Sequence, residues 1–205
     1  MTVKTYQASN ERLSANFKVN EFQCHDGTEK ILIDTDLVAL LQKIRDHFGK
    51  AVEITSGYRT PSYNAKVGSS STSYHVRGQA ADITVKGIHP VIVGMYAETI
   101  NAGGIGVYSY ADGGFVHVDT RAVKYRWLQI LKNTRYQQIT KVLPTIRQGA
   151  ENVPNSVILL QRRLGISQSG TFGDITTQAV KNFQKSNGLT VDGVVGKNTW
   201  SVLFK

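Results

Sequence analysis

Helical spacing of apolar residues is clearest in LIDTDLVALLQKIRDHFG (32–49). Leu37, Leu40, Leu41, Ile44 and Phe48 recur at three- and four-residue steps, so a helix with one buried face is expected there. Asp34 or Asp36 can cap its start and Gly49 can end it. The period then changes to two. AVEITSGYR (51–59) puts Val52, Ile54 and Ser56 on one face, and AADITV (80–85) repeats the alternation, so both read as strands. Between them TPSYNAKVGSSSTS reads as a long polar loop. HPVIVGMYAETINAG (89–103) returns to a helix, with Pro90 in its first turn and a glycine stop. GIGVYSY (104–110) and FVHVDTR (115–121), joined at ADGG, read as a hairpin. Helix, two strands, helix and hairpin describe an α+β domain with a small mixed or antiparallel sheet.

The texture changes at LPTIRQGAENVPNS (143–156), which has two prolines and few large apolar residues. Beyond it the chain repeats itself. GTFGDITTQAV (170–180) aligns with GVVGKNTWSVL (193–203) at an offset of 23, each a glycine turn feeding a helix. A three-helix unit follows, over about 156–164, 174–187 and 197–204, with Val180, Phe183 and Leu189 packing on Leu159, Leu160 and Leu164. Residues 133–205 hold no histidine, no cysteine and three acidic residues, which suits a binding module rather than a catalytic one. The expected division is a catalytic domain over 1–132, a linker over 133–146 and a helical module over 147–205.

Composition narrows the class. A chain of 205 residues, 40% hydrophobic and 19% charged, is globular and long enough for two domains. No apolar run approaches the ~20 residues that span a bilayer. The opening MTVKTYQASNERLS shows no apolar core of a signal peptide. The single cysteine, Cys24, permits no internal disulfide. The net charge of +9 is uneven: residues 1–132 hold 15 Lys and Arg against 12 Asp and Glu, residues 133–205 hold 9 against 3. A basic tail either serves solubility alone or meets an anionic partner. Its cations are scattered without interleaved aromatics, which argues against nucleic acid.

Two strands carry chemistry on their non-core faces. In FVHVDT, Phe115, His117 and Asp119 point one way and the valines the other; in AADITV, Asp82 and Thr84 oppose Ala81, Ile83 and Val85. His75 precedes the second of these strands, and Gly78 lets the chain turn between His75 and Asp82. Two imidazoles and one carboxylate suit a zinc ion with a fourth position open, which is hydrolase chemistry. Spacing alone favours an ordinary strand histidine and loop carboxylate, since isolated histidines and aspartates are common. HExxH and GxSxG are absent, and EFQCHDG gives Cys24 no activating surroundings.

The pattern Ser73-x-His75-x-x-Gly78-x-Ala80-x-Asp82 resembles the S-x-H-x-x-G-x-A-x-D motif of the M15-type zinc peptidases, the D-Ala-D-Ala carboxypeptidase and L-alanyl-D-glutamate endopeptidase group. LSANFKVNEFQCHDG (13–27), ITSGYRTPSYN (54–64), GGIGVY (103–108) and FVHVDTR are similar to its phage and bacterial branch, over about residues 10–130. The resemblance implies one Zn2+ on His75, Asp82 and His117. It also implies that Arg59 holds a substrate carbonyl or carboxylate, with Tyr58 and Ser73 beside it. Many members carry a general-base carboxylate three residues before the last zinc histidine, where this chain has Gly114. The nearest carboxylates are Asp112 and Asp119. Asp119 is the expected base, or else it backs the metal site or pairs with Arg121 or Arg59. The tail, through LQRRLG, AVKNFQ, GLTVDGVVG and TW, resembles peptidoglycan-binding three-helix domains over about 142–205. Together these imply a monomeric wall peptidase that binds peptidoglycan, and anionic wall polymers, without entering a membrane. It would act outside the cell or after release through a phage pore. The alternatives are a wall-binding protein with a degenerate zinc site and a Cys24-dependent wall peptidase.

Overall fold

The computed structural model describes residues 2–111, 113–132 and 134–205. The first unit is α+β. Strand β1 (Val3–Gln7) pairs antiparallel with β2 (Lys30–Asp34) in a two-stranded sheet, and helix α1 (Thr35–Phe48) starts directly from β2. The helix expected from residue 32 therefore begins three residues later. Ile31 and Ile33 are buried at strand spacing, and Asp34 ends the strand and caps α1 by accepting the amide of Asp36. Gly49, in the left-handed region, ends it.

Next come β3 (Val52–Ser56), α2 (Pro61–Lys66), β4 (Ala80–Val85), α3 (Pro90–Thr99), β5 (Gly104–Tyr110), β6 (Gly113–Asp119), β7 (Tyr125–Gln129) and β8 (Gln137–Gln138). α2 lies in the segment expected to be loop. Thr60 caps it and Pro61 opens it, a start signal that the polar composition masked. The main sheet runs β3-β4-β6-β5-β7-β8, antiparallel except for the parallel pair β5 and β7. The expected linker 133–146 is corrected at its start: it supplies β8 and buries Ile139 and Val142 in the main core.

Alternation gives the sheet two unlike faces. Ala81, Ile83, Ile105, Val107, Val116, Val118 and Leu128 pack under α1 and α3 in one core with Leu37, Leu41, Ile44, Val91 and Ala97. At ~25 cal/mol per Å2 of apolar area, this face is what fixes the strand register. The other face carries Asp82, His117, Asp119 and Trp127. A one-residue slip in β4 or β6 would bury that set in the core and expel the valines.

The second unit is helical: α4 (Pro154–Arg163), α5 (Asp174–Ser186) and α6 (Lys197–Leu203) surround Ile146, Val157, Leu160, Phe172, Val180, Val195, Trp200 and Leu203. Phe183 and Leu164 pack at its edge. Leu159 turns instead into the main core, and Leu189 belongs to neither. The 23-residue repeat corresponds to a repeated buried glutamine. Gln161 donates to Ser169 Oγ, Thr171 O and Thr176 Oγ1 and accepts from the Gly170 amide. Gln184 does the same with Asp192 Oδ1, Val194 O, Thr199 Oγ1 and the Gly193 amide. Each amide ties a glycine turn to the helix before it, and stranding one would cost about 1–3 kcal/mol. Hydrogen bonds join the two units: Asn155 Nδ2 donates to Leu128 O at 2.8 Å and Arg162 Nη1 to Ser109 O at 2.9 Å.

Candidate metal centre and cleft

β4 and β6 are neighbours, and their register sets Asp82 directly opposite His117. His75 enters from the loop before β4. That loop can turn there only through glycine: Gly78 has φ +68°, and a Cβ would lie 2.3 Å from Leu32 O. The three side chains converge. His75 Nε2 and His117 Nδ1 are 3.1 Å apart, His117 Nδ1 and Asp82 Oδ1 3.0 Å, and His75 Nε2 and Asp82 Oδ1 3.3 Å. All three residues are buried. Among the described residues this is the one such group of His, Cys, Asp and Glu able to hold a metal.

The far side of each imidazole is committed. His75 Nδ1 lies 2.7 Å from Gly57 O, which accepts only if that nitrogen carries the proton, so the Nε2 lone pair faces the triangle. His117 Nε2 lies 3.0 Å from Asp119 Oδ2, which likewise leaves the Nδ1 lone pair facing inward. Donors arranged tetrahedrally at zinc distances stand about 3.3 Å apart, close to the edges found here. Two inward lone pairs and a carboxylate oxygen therefore fit such an ion.

Burial would raise the Asp82 carboxyl, but the adjoining imidazoles, His75 ahead of His117, outweigh it and hold the group well below the usual carboxylate range. Arg59 clamps the outer oxygen, Nη2 to Asp82 Oδ2 at 2.6 Å, and is itself held by Ser56 Oγ at 2.8 Å. Burial lowers His75.

Asp119 stands behind His117, away from the triangle, and is fully buried. It accepts from the Gly104 amide at 2.7 Å and from Arg121 Nε at 2.9 and 2.8 Å. Although burial opposes ionisation, His117 and Arg121 hold its carboxyl far below the ordinary value. The geometry thus answers to backing of His117 and pairing with Arg121, not to contact with a reacting water. Asp112 lies outside the described residues. Position 114 is closed to any carboxylate, because a Cβ on Gly114 would sit 1.9 Å from Tyr108 O.

The centre opens into a cavity of about 640 Å3. Its floor and walls include Arg59, Ser73, Tyr74, Tyr108, Arg121 and Trp127. Trp127 lies flat over Gly106, where a Cβ would be 2.1 Å from the indole, and its ring is 5.0 Å from that of His117. Its Nε1 donates to Tyr108 Oη at 3.0 Å. Burial pushes Tyr108 up to about 12. Arg121 stacks on Tyr74 at 4.4 Å. Ser73 Oγ accepts the His75 amide at 3.3 Å, and buried Asn64 ties the serine rim through Ser70 O at 2.8 Å. Tyr58 does not line the cavity: its ring packs on the main core. Cys24 is buried and accepts the Thr60 amide at 3.4 Å, also away from the cavity. The aromatic wall went unread in the sequence; YRW at 125–127 is its alternating signal.

A small α+β domain with a buried three-donor centre at the foot of an open cleft is the class of domain that metal-dependent hydrolases use. Sequence comparison names the family within that class: the Peptidase M15 model matches residues 15–119, just over half of the chain, and the chain belongs to that family. A second model, a peptidoglycan binding domain, matches residues 154–203. Among curated proteins, the chain is 33% identical over 116 residues to the peptidoglycan L,D-endopeptidase MepK of Escherichia coli K12, covering 53% of this chain and 63% of that protein. It is 32% identical over 100 residues to a probable peptidoglycan L,D-endopeptidase MepK of Haemophilus influenzae, covering 45% of this chain and 53% of that protein. The chain thus spans between half and two thirds of the curated relatives that it matches.

Proposed function

We propose that the chain is a zinc-dependent peptidoglycan endopeptidase, with His75, Asp82 and His117 holding one Zn2+ and the helical unit binding the wall. The observation that carries this reading is the triangle of two inward lone pairs and one carboxylate oxygen at 3.0–3.3 Å. Zinc, when bound, supplies Lewis acidity toward a peptide carbonyl and activates water for its hydrolysis. The rest falls to the chain. Gly57 O and Asp119 hold the outer protons of the two imidazoles and so keep both rings aimed. Arg59 fixes Asp82 and meets a substrate carbonyl or carboxylate, with Ser73 at the rim. The Tyr108 hydroxyl, still protonated at neutral pH and oriented by Trp127, donates to the carbonyl oxygen as charge develops there. Endo- rather than carboxypeptidase action is supported by the relatives, which carry the name L,D-endopeptidase.

The catalytic unit would end near Val142 and the wall-binding unit begin at Ile146. A second, wall-bound contact raises the local concentration of cleavable bonds. The basic second unit would also favour anionic wall polymers, the enzyme acting on the wall as a monomer. The test is mass spectrometry of fragments released from purified wall. Soluble products bearing a new peptide amino terminus are expected, and products cut only in the glycan, or none, would overturn the proposal.

A further inference from the structure

Helix α4 serves both units. Val157 and Leu160 on one side of it build the helical core. Asn155, Leu159 and Arg162, at positions i, i+4 and i+7, form the opposite side, which lies on the catalytic unit. Leu159 enters the main core, and Asn155 Nδ2 donates to Leu128 O at 2.8 Å. We propose that Arg162 is a positioning residue for the cleft: supplied by the helical unit, its guanidinium holds the ends of β5 and β7 together and so keeps Trp127 on the Tyr108 hydroxyl. The assignment rests on the peptidase reading, in which that hydroxyl donates to the reacting carbonyl.

The parallel pairing of β5 with β7 runs from Gly104 opposite Tyr125 to Tyr108 opposite Gln129 and stops there. The next residues, Ser109 and Ile130, are buried, and buried peptide oxygens need donors. One planar group serves both strands: Arg162 Nη1 donates to Ser109 O at 2.9 Å and Nη2 to Ile130 O at 3.3 Å. Its Nε donates to Gln168 Oε1 at 3.1 Å, which fixes the plane of the fork. The guanidinium is thus a further rung, one residue past Tyr108 on β5 and three past Trp127 on β7. Tyr108 and Trp127 stand on these two strands, joined side chain to side chain by the 3.0 Å bond from the indole, and Phe115 of β6 stacks on Tyr108 at 4.2 Å. Splaying of β5 from β7 would misdirect the hydroxyl and leave the triad in place, because Asp82 and His117 stand on β4 and β6. A misplacement of about 1 Å in such a group can cost roughly 100-fold in rate. A lysine at 162 would reach one carbonyl but could not bridge both. The helical unit is on this account part of the active cleft as well as a wall anchor.

The test uses full-length protein and soluble stem-peptide fragments freed from purified wall by a glycan hydrolase, which need no hold on the wall. Zinc-loaded Arg162→Ala should lose about tenfold in kcat, with KM and zinc affinity within twofold of wild type. In a Tyr108→Phe background the same change should cost less than twofold, since Arg162 acts through that hydroxyl. Equal losses in both backgrounds, a loss confined to KM, or no loss overturns the positioning role. Amide hydrogen exchange of the metal-free protein reads the brace without turnover. Segments 104–110 and 125–131 should exchange about tenfold faster in Arg162→Ala than in wild type, with β3 and β4 unchanged; equal exchange, or faster exchange throughout the sheet, overturns the brace. Arg162 is partly exposed, so the alanine variant should fold, and Arg162→Lys, with half the fork, should lie between it and wild type in both readouts. Faster exchange at the two strand ends in a protein whose wild type cleaves no fragment would refute the peptidase reading and leave the brace standing.

Discussion

Asp119→Asn removes one charge and almost no volume from the layer behind the proposed metal centre. The wild-type carboxylate fixes the His117 proton on Nε2, so the asparagine oxygen can still accept that proton but without charge. The amide nitrogen meanwhile confronts Arg121 Nε and the Gly104 amide, both donors. Loss of such a backing carboxylate lowers metal affinity about 10- to 100-fold, or ~1.4–2.7 kcal/mol. Stability should fall as well. Removing one partner of a sealed ion pair costs about 3–5 kcal/mol; Arg121 is one-fifth exposed and stacked on Tyr74, which brings the expected loss to about 1–3 kcal/mol. Zinc affinity is read by competition with a chromophoric chelator, and stability by denaturation of the metal-free protein. Zinc affinity unchanged within twofold would refute the reasoning. Turnover abolished with affinity and stability both intact would make Asp119 the proton acceptor itself.

Gly114→Glu should not create a general base: with Tyr108 O at 1.9 Å from the new Cβ, the hairpin must deform, and a loss of several kcal/mol in stability is expected together with lower activity. A more active, equally stable variant would contradict this. Cys24→Ala should keep wall-lytic activity while costing about 1 kcal/mol in a chemical melt, since the thiol is buried away from the cleft; lost activity at intact stability would revive the cysteine mechanism. His89, between α3 and the second unit, has its pKa lowered from 6.5 to about 4 by burial and then by Arg163 and Arg162. Its contribution is full above about pH 6.5, where it is neutral folded or unfolded, and is lost as pH falls toward 4, where the unfolded chain takes up the proton first. Sealed from water this would amount to roughly 3 kcal/mol, and for a half-buried ring about 1 kcal/mol. Wild type should lose that much more than His89→Asn between pH 6.5 and 4 in thermal melts, and parallel pH profiles would refute it.

Where periodicity was long, the sequence was explicit. α1, β4, the β5–β6 hairpin and the three C-terminal helices follow from their apolar spacing and glycine stops, and Gly78 from the turn that must join the two candidate ligands His75 and Asp82. β1 and β2 were hidden because Ile31 and Ile33 run straight into the helical pattern of Leu37 and Leu41, with Asp34 serving both elements. β7 was hidden because its partner is distant: Leu128 and Trp127 gain meaning only from β5, which lies beside them in space, and β8 because it is two polar residues at the sheet edge. The same limit applies at the site. Spacing could place His117 and Asp119 on one face, but not tell that Asp119 lies behind the ring, since that depends on Gly104 and Arg121 closing around it. The aromatic wall comes from three strands, with Tyr108 on β5, Phe115 on β6 and Trp127 on β7, so no single stretch of chain announces it.

If one zinc ion on His75, Asp82 and His117 makes this chain a wall peptidase, the dependence shows most directly in a titration of chelator-stripped, full-length protein with zinc while solubilisation of purified wall is followed. Activity should be absent at the start, rise with added zinc and level off at one equivalent per chain, and His117→Ala should stay flat throughout. Undiminished solubilisation by the stripped protein, or full activity of His117→Ala, would contradict it.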